Sequence, residues 1–182
     1  PVFCIIRIDN MSEVTSEMTD VERSSLSSDV TEKVLSYFNE RDGFIKQYNN
    51  TDFVACISHK ALVEMMEHNF DILDTVRAIH TVNRIPVTLS IGVVQIDDTF
   101  AKQYDEAQVS LDLALGRGGD QAIVRIGKDT KAFGGKAPTS VSSTRVRVRV
   151  VAQALKEIIE GADLVLVMGH NHEAVSYTHL RA

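Results

Sequence analysis

The sequence predicts an α/β fold of the α+β kind, a central sheet covered by helices, and three observations lead there. β-Branched apolar runs alternate with stretches of helical period, in the order βα, ββ hairpin, αβαβ. Of the 182 residues 44% are hydrophobic and 24% charged, which suffices for a real core and excludes wholesale disorder. No apolar run approaches the roughly 18 residues needed to span a bilayer. The formal net charge of −6 argues against a general affinity for nucleic acid or an anionic membrane, "TRVRVRV" being the one basic stretch.

The elements follow in order. "VFCIIRID" at Val2 to Asp9 is β-branched and apolar, a buried strand. Between about Ser24 and Glu40, Leu26, Val30, Val34 and Tyr37 or Phe38 recur at helical spacing. "GFIKQYNNTDFVACIS" holds two apolar runs around "NNT" and reads as a hairpin whose second arm is the more buried, since Asn tolerates the positive φ of tight turns. Leu62, Met65, Met66, Phe70, Leu73, Val76 and Ile79 or His80 predict one helix from Lys60 to about Asn83, ended by "NRIP". "VTLSIGVVQI" is a strand, "EAQVSLDLALGRGG" a helix closed by glycines, and "QAIVRIG" another strand. "GRGGD" follows a helix instead of opening one, so it reads as a C-cap and turn and not as a phosphate cradle. Cys4 and Cys56 lie in strand-like runs without ligand spacing and read as reduced buried thiols. His59, His68 and His80 do not gather as ligands.

After "GGKAPTSVSS" the composition shifts, which places a linker at 137–143. "STRVRVRVVAQALKEIIEGA" alternates Arg and Val like a strand, but Val148, Val151, Leu155, Ile158 and Ile159 favour a helix. "ADLVLVMGH" has the form of a buried parallel strand delivering His170 at its end. The chain opens at Pro1 directly on a strand, so upstream sequence is expected.

"IIRIDN", "TLSIGV", "SLDLALGRGGDQA", "FGGK", "TRVRVRVVAQAL" and "VMGH", in this order, resemble the degenerate GGDEF domain of GdpP-type cyclic-di-AMP phosphodiesterases followed by the opening of their DHH phosphoesterase domain. The resemblance implies a GGDEF or nucleotidyl-cyclase-like domain at 1–136 and a truncated DHH domain at 144–174. "VSYTHLRA" resembles a translated sequencing adaptor, so 175–182 are expected to be non-native. In active cyclases of the wider family the first strand ends Asp-x-Asp, whose first Asp holds a divalent metal. Here Arg7 stands in that place, and the Gly-Gly-Asp-Glu-Phe hairpin falls on Asn49, Asn50, Thr51, Asp52 and Phe53.

The resemblance therefore implies a regulatory domain that binds a nucleotide, ATP or GTP with or without Mg2+, and hydrolyses it weakly. Arg7 would meet phosphate, with Asp9, Asn10, Asn49, Asn50, Thr51 and Asp52 around it; the plainer alternative is that Arg7 only pairs with Asp52 across adjacent strands. A non-catalytic nucleotide sensor or dimerisation module is the second reading, and an active diguanylate cyclase is disfavoured by Arg7 and Asn49. In the parent, His170 would be the first ligand of a two-manganese site of the pattern His-x-x-x-Asp-x-Asp, but Ala174 stands where its first Asp belongs. The fragment should then lack phosphodiesterase chemistry. The parent is expected to be a homodimer anchored in the cell membrane, with this region cytoplasmic.

Overall fold

The computed structural model describes residues 1–135, together with the backbone of 167–168 and 174–175. Strand β1 (Val2–Ile8) leads through a single turn, α1 (Met11–Val14), into the long helix α2 (Asp20–Asn39). A hairpin of β2 (Phe44–Gln47) and β3 (Asp52–Ile57) follows, then α3 (His59–Glu67), α4 (Ile72–Arg77), β4 (Leu89–Gln95), α5 (Phe100–Gly116), β5 (Gln121–Ile126) and β6 (Asp129–Gly134). The six strands form one sheet in the order β2-β3-β1-β4-β5-β6. Among neighbouring strands of this sheet only β4 and β5 pair in parallel, because the crossover helix α5 joins them with no strand between, whereas the crossovers through α2 and through α3 and α4 each skip a strand.

β1 sits near the middle and is buried on both faces. Val2, Cys4, Ile6 and Ile8 point into the larger core with α2, α3 and α4, while Phe3 and Ile5 join Ala107, Leu111 and Leu115 of α5 on the other face. α5 can lie this close because Gly92 has no side chain: a Cβ there would sit 2.5 Å from Leu111 N and overlap the Ala107 carbonyl. α2 begins four residues before the apolar period does. Thr19 and Glu22 form a capping box, Glu22 N donating to Thr19 Oγ1 at 3.3 Å and Thr19 N to Glu22 Oε2 at 2.8 Å.

The sequence expectation of one helix over 60–83 is corrected to two. Asn69 (φ 55°) and Phe70 (φ 52°) take left-handed backbone, and Phe70 drops fully buried into the core against Phe133, ring centroids 5.2 Å apart. Burial of that ring offsets a conformation that a bulky residue rarely adopts. Beyond Ala78 the chain is irregular, with Asn83 donating to the Val14 carbonyl at 3.0 Å and accepting from Ile85 N.

β6 has no counterpart in the expected elements. Its residues are mostly exposed, so it lacks the apolar alternation that marks a strand; only Phe133 turns inward, and the two-residue turn at Gly127 and Lys128 brings it back along β5. The expected hairpin is present, and its second arm is the more buried. Its turn is built differently: no residue in 48–51 has positive φ, and the Asn49 side chain organises it instead. Val167–Met168 pairs antiparallel with Ala174–Val175. So short a connection brings the chain back antiparallel; the residues around this pair, on which the expected parallel strand depends, lie outside the described ones. The linker at 137–143, the helix expected in "STRVRVRVVAQALKEIIEGA" and His170 lie outside the described residues.

Candidate functional site

The carboxyl end of β1 and the β2–β3 turn meet at one end of the sheet, tied by Ile8 N donating to the Thr51 carbonyl at 2.9 Å. Pairing register sets Arg7 directly opposite Asp52. Arg7 Nε donates to Asp52 Oδ1 at 2.5 Å, while Asp52 Oδ2 accepts from Asn49 Nδ2 at 2.6 Å and from Thr51 Oγ1 at 3.3 Å. Asn49 Oδ1 in turn accepts from the backbone N–H of Thr51 at 2.8 Å and of Asp52 at 2.7 Å. Arg7, Asn49, Thr51 and Asp52 thus form one connected group, with Asn50 exposed at the turn beside them.

Exposure divides the ion pair unequally: the Arg7 side chain is 34% exposed and that of Asp52 7%. The guanidinium is the member that can reach a ligand. Burial lowers the Arg7 pKa, but the hydrogen bond and the charge of Asp52 outweigh it and raise it on balance, with Tyr48 and Asp112 adding to the effect. The Tyr48 phenol lies beside Arg7, and burial, then the charge of Asp52, push its pKa up. Sequence reasoning missed Tyr48 and Asp112. Tyr48 carried a signal, since it directly precedes the turn; Asp112 is brought near only by the packing of α5.

Asp9 and Asn10 face another way. Asn10 Nδ2 donates to the Pro86 carbonyl at 2.9 Å and Asn10 Oδ1 accepts from Thr88 N at 3.1 Å, fastening the lead-in to β4. Asp9 Oδ2 accepts from Asp120 N at 3.0 Å, across 111 residues of sequence. Gly119, at φ 76°, lets this turn approach, because a Cβ there would lie 2.7 Å from Asp9 Oδ2. Asp9 keeps some exposure as a residue, yet its Oδ1 is shut off from solvent and takes no hydrogen bond of good geometry, as is true of Ser90 Oγ beside it. Burial pushes the Asp9 carboxyl up to about 6, against the lowering effect of the Asp120 N–H and the Ser90 and Thr88 hydroxyls. Asp120 itself is 2% exposed and accepts from Arg77 Nε at 2.8 Å. "GRGGD" is thus the cap and turn the sequence predicts, with Gly118 N donating to Leu115 O and Gly119 N to Ala114 O, and it also latches β1 to β5.

These residues do not suit a divalent ion. Among the described residues no three His, Cys, Asp or Glu gather as ligands, and both oxygens of Asp52 already accept from internal donors. His59, His68 and His80 are exposed; His59 contacts Gln95 Oε1 at 2.8 Å and His68 its own helix. Cys4 is buried and Cys56 half-buried, both free, and burial raises the Cys4 thiol far above its ordinary range.

The family described as "Cyclic-di-AMP phosphodiesterase GdpP-like, GGDEF domain" matches residues 6–133. The chain belongs to that GGDEF family. Cyclic-di-AMP phosphodiesterase PdeA of Listeria monocytogenes is 40% identical to it over 173 residues, 94% of this chain and 26% of the relative. Cyclic-di-AMP phosphodiesterase GdpP of Bacillus subtilis is 39% identical over 171 residues, 93% of this chain and 26% of the relative. The GdpP-like chain thus spans about a quarter of the length of these relatives. Among solved structures, a diguanylate cyclase/phosphodiesterase from Caldicellulosiruptor saccharolyticus superposes with a TM-score of 0.58 at 14% identity, covering 71% of this chain and 78% of the other, a likeness of fold. No helix among the described residues of the GdpP-like chain is long and apolar enough to cross a membrane.

Proposed function

We propose that this domain is a regulatory nucleotide-binding module of a cyclic-di-AMP phosphodiesterase and that it does not make a cyclic dinucleotide. The observation that carries the reading is the pairing of Arg7 with Asp52 at the hairpin end of β1, in the position where the resemblance puts a metal-holding carboxylate in active cyclases. Joining two nucleoside triphosphates needs divalent ions held against the phosphates by paired carboxylates, and a neutral ion pair offers no such seat. A half-buried guanidinium beside an exposed polar turn still suits a phosphate group. In the parent, hydrolysis of cyclic-di-AMP to the linear dinucleotide would belong to a DHH domain opening at 144–174, with His170 as its first manganese ligand. That parent would be a membrane-anchored homodimer with this region in the cytoplasm.

Calorimetric titration of ATP and of GTP into the native chain, Arg7→Ala and Asp52→Ala tests the reading. Native binding that weakens at least about tenfold in Arg7→Ala supports it, since a charge-assisted phosphate contact contributes about 1.5–3 kcal/mol. Equal binding by all three proteins removes the site from the hairpin end. Phosphate release measured in the same samples separates weak hydrolysis from sensing alone, and any cyclic dinucleotide formed from GTP would overturn the proposal.

A further inference from the structure

We infer that this site takes its phosphate ligand without a divalent cation, the Arg7 guanidinium filling the electrostatic place of the metal. The inference rests on the nucleotide reading given above and names how that site works. Two carboxylates facing each other on adjacent strands carry two negative charges and must recruit a cation before a polyphosphate can approach. With Arg7 opposite Asp52, the pair is neutral and the cation is covalently part of β1.

Asp52 could not easily be lent to a metal. Its oxygens accept from Arg7 Nε, Asn49 Nδ2 and Thr51 Oγ1, and its side chain is 7% exposed, so a metal would have to displace donors that hold the turn together. The Asp9 carboxylate is no substitute: one oxygen is committed to Asp120 N–H and the other is buried beside Ser90. Arg7 spends only Nε on Asp52. Its terminal amino groups lie on the more exposed side of the pair, where the Tyr48 phenol is within hydrogen-bonding reach of the guanidinium and a phosphate would compete only with that neutral partner; Asp112 is the further acidic group near enough to act on it. The ligand class is accordingly a nucleoside polyphosphate in its metal-free, more highly charged form.

Binding of ATP to the native chain is compared in excess EDTA and in excess Mg2+, beside Arg7→Asp and Arg7→Gln, with free Mn2+ followed by electron paramagnetic resonance. The expected result is native affinity in EDTA within about threefold of that in Mg2+, or tighter, because the free nucleotide carries more charge toward the guanidinium. Arg7→Asp sets two carboxylates face to face and should bind Mn2+ where the native chain and Arg7→Gln do not. Native binding lost about tenfold or more in EDTA overturns the inference while leaving the nucleotide reading intact. No native binding under either condition overturns both, and the native comparison decides even if Arg7→Asp fails to fold.

Discussion

Replacing Asp9 by Asn tests the buried carboxylate that latches β1 to the turn after α5. Asp9 Oδ2 holds the Asp120 N–H, Oδ1 is out of solvent without a hydrogen bond of good geometry, and burial pushes the carboxyl up to about 6 against the lowering effect of the Ser90 and Thr88 hydroxyls. An unfolded Asp titrates near 3.9, so the shift is about two units, or about 3 kcal/mol at about 1.4 kcal/mol per unit. Because the folded-state pKa is the higher one, the stability linked to the proton is fully present below about pH 4 and lost as pH rises through about 6. Asn keeps an acceptor for the Asp120 N–H, carries no charge, and offers an amide donor toward the neighbouring Ser90 Oγ. Urea unfolding at pH 4.0 and pH 7.5 should therefore show Asp9→Asn more stable than the native chain at pH 7.5, by about 1 to 3 kcal/mol, with the gap closing at pH 4.0. A gap of equal size at both pH values, or an Asn variant less stable at pH 7.5, would refute the reasoning.

Gly92→Ala should destabilise by about 3 kcal/mol or prevent folding, since the new Cβ meets helix backbone that cannot rotate away; thermal unfolding beside Gly127→Ala, where nothing lies within 4 Å, isolates the clash from left-handed strain. Asn69→Ala should cost about 1 kcal/mol and Asn69→Gly close to nothing, because φ of 55° is what breaks the helix there, and equal midpoints in urea would show the break is not strained. The native chain should release no detectable linear dinucleotide from cyclic-di-AMP with Mn2+, assayed chromatographically; clear turnover would mean that the sequence carries a working hydrolase site.

Much of the fold is legible because burial writes a period into the sequence. Leu26, Val30, Val34 and Phe38 mark α2, and the run from Val2 to Ile8, buried on both faces, marks β1. What is missed has no period to read. β6 is exposed on the sheet edge, α1 is a single turn, and the break at Asn69 and Phe70 preserves the apolar spacing of a continuous helix while changing its direction. At the site, the opposition of Arg7 and Asp52 is accessible from the hairpin reading, since strand neighbours follow from topology. The Asp9 contact with Asp120 is not, because a carboxylate bonded to a backbone N–H 111 residues away leaves no pattern in residue types. Asp9 and Asn10, grouped with the ligand residues in sequence, are thus found fastening β4 and β5 instead.

The most direct measurement is the amide and guanidinium spectrum of the isotopically labelled native chain during titration with ATP in EDTA. Shifts should concentrate at Arg7 Nε and at the amides of Asn50, Thr51 and Asp52, with Asp120 unmoved. Saturable shifts elsewhere, with Arg7 and the turn silent, would contradict the account.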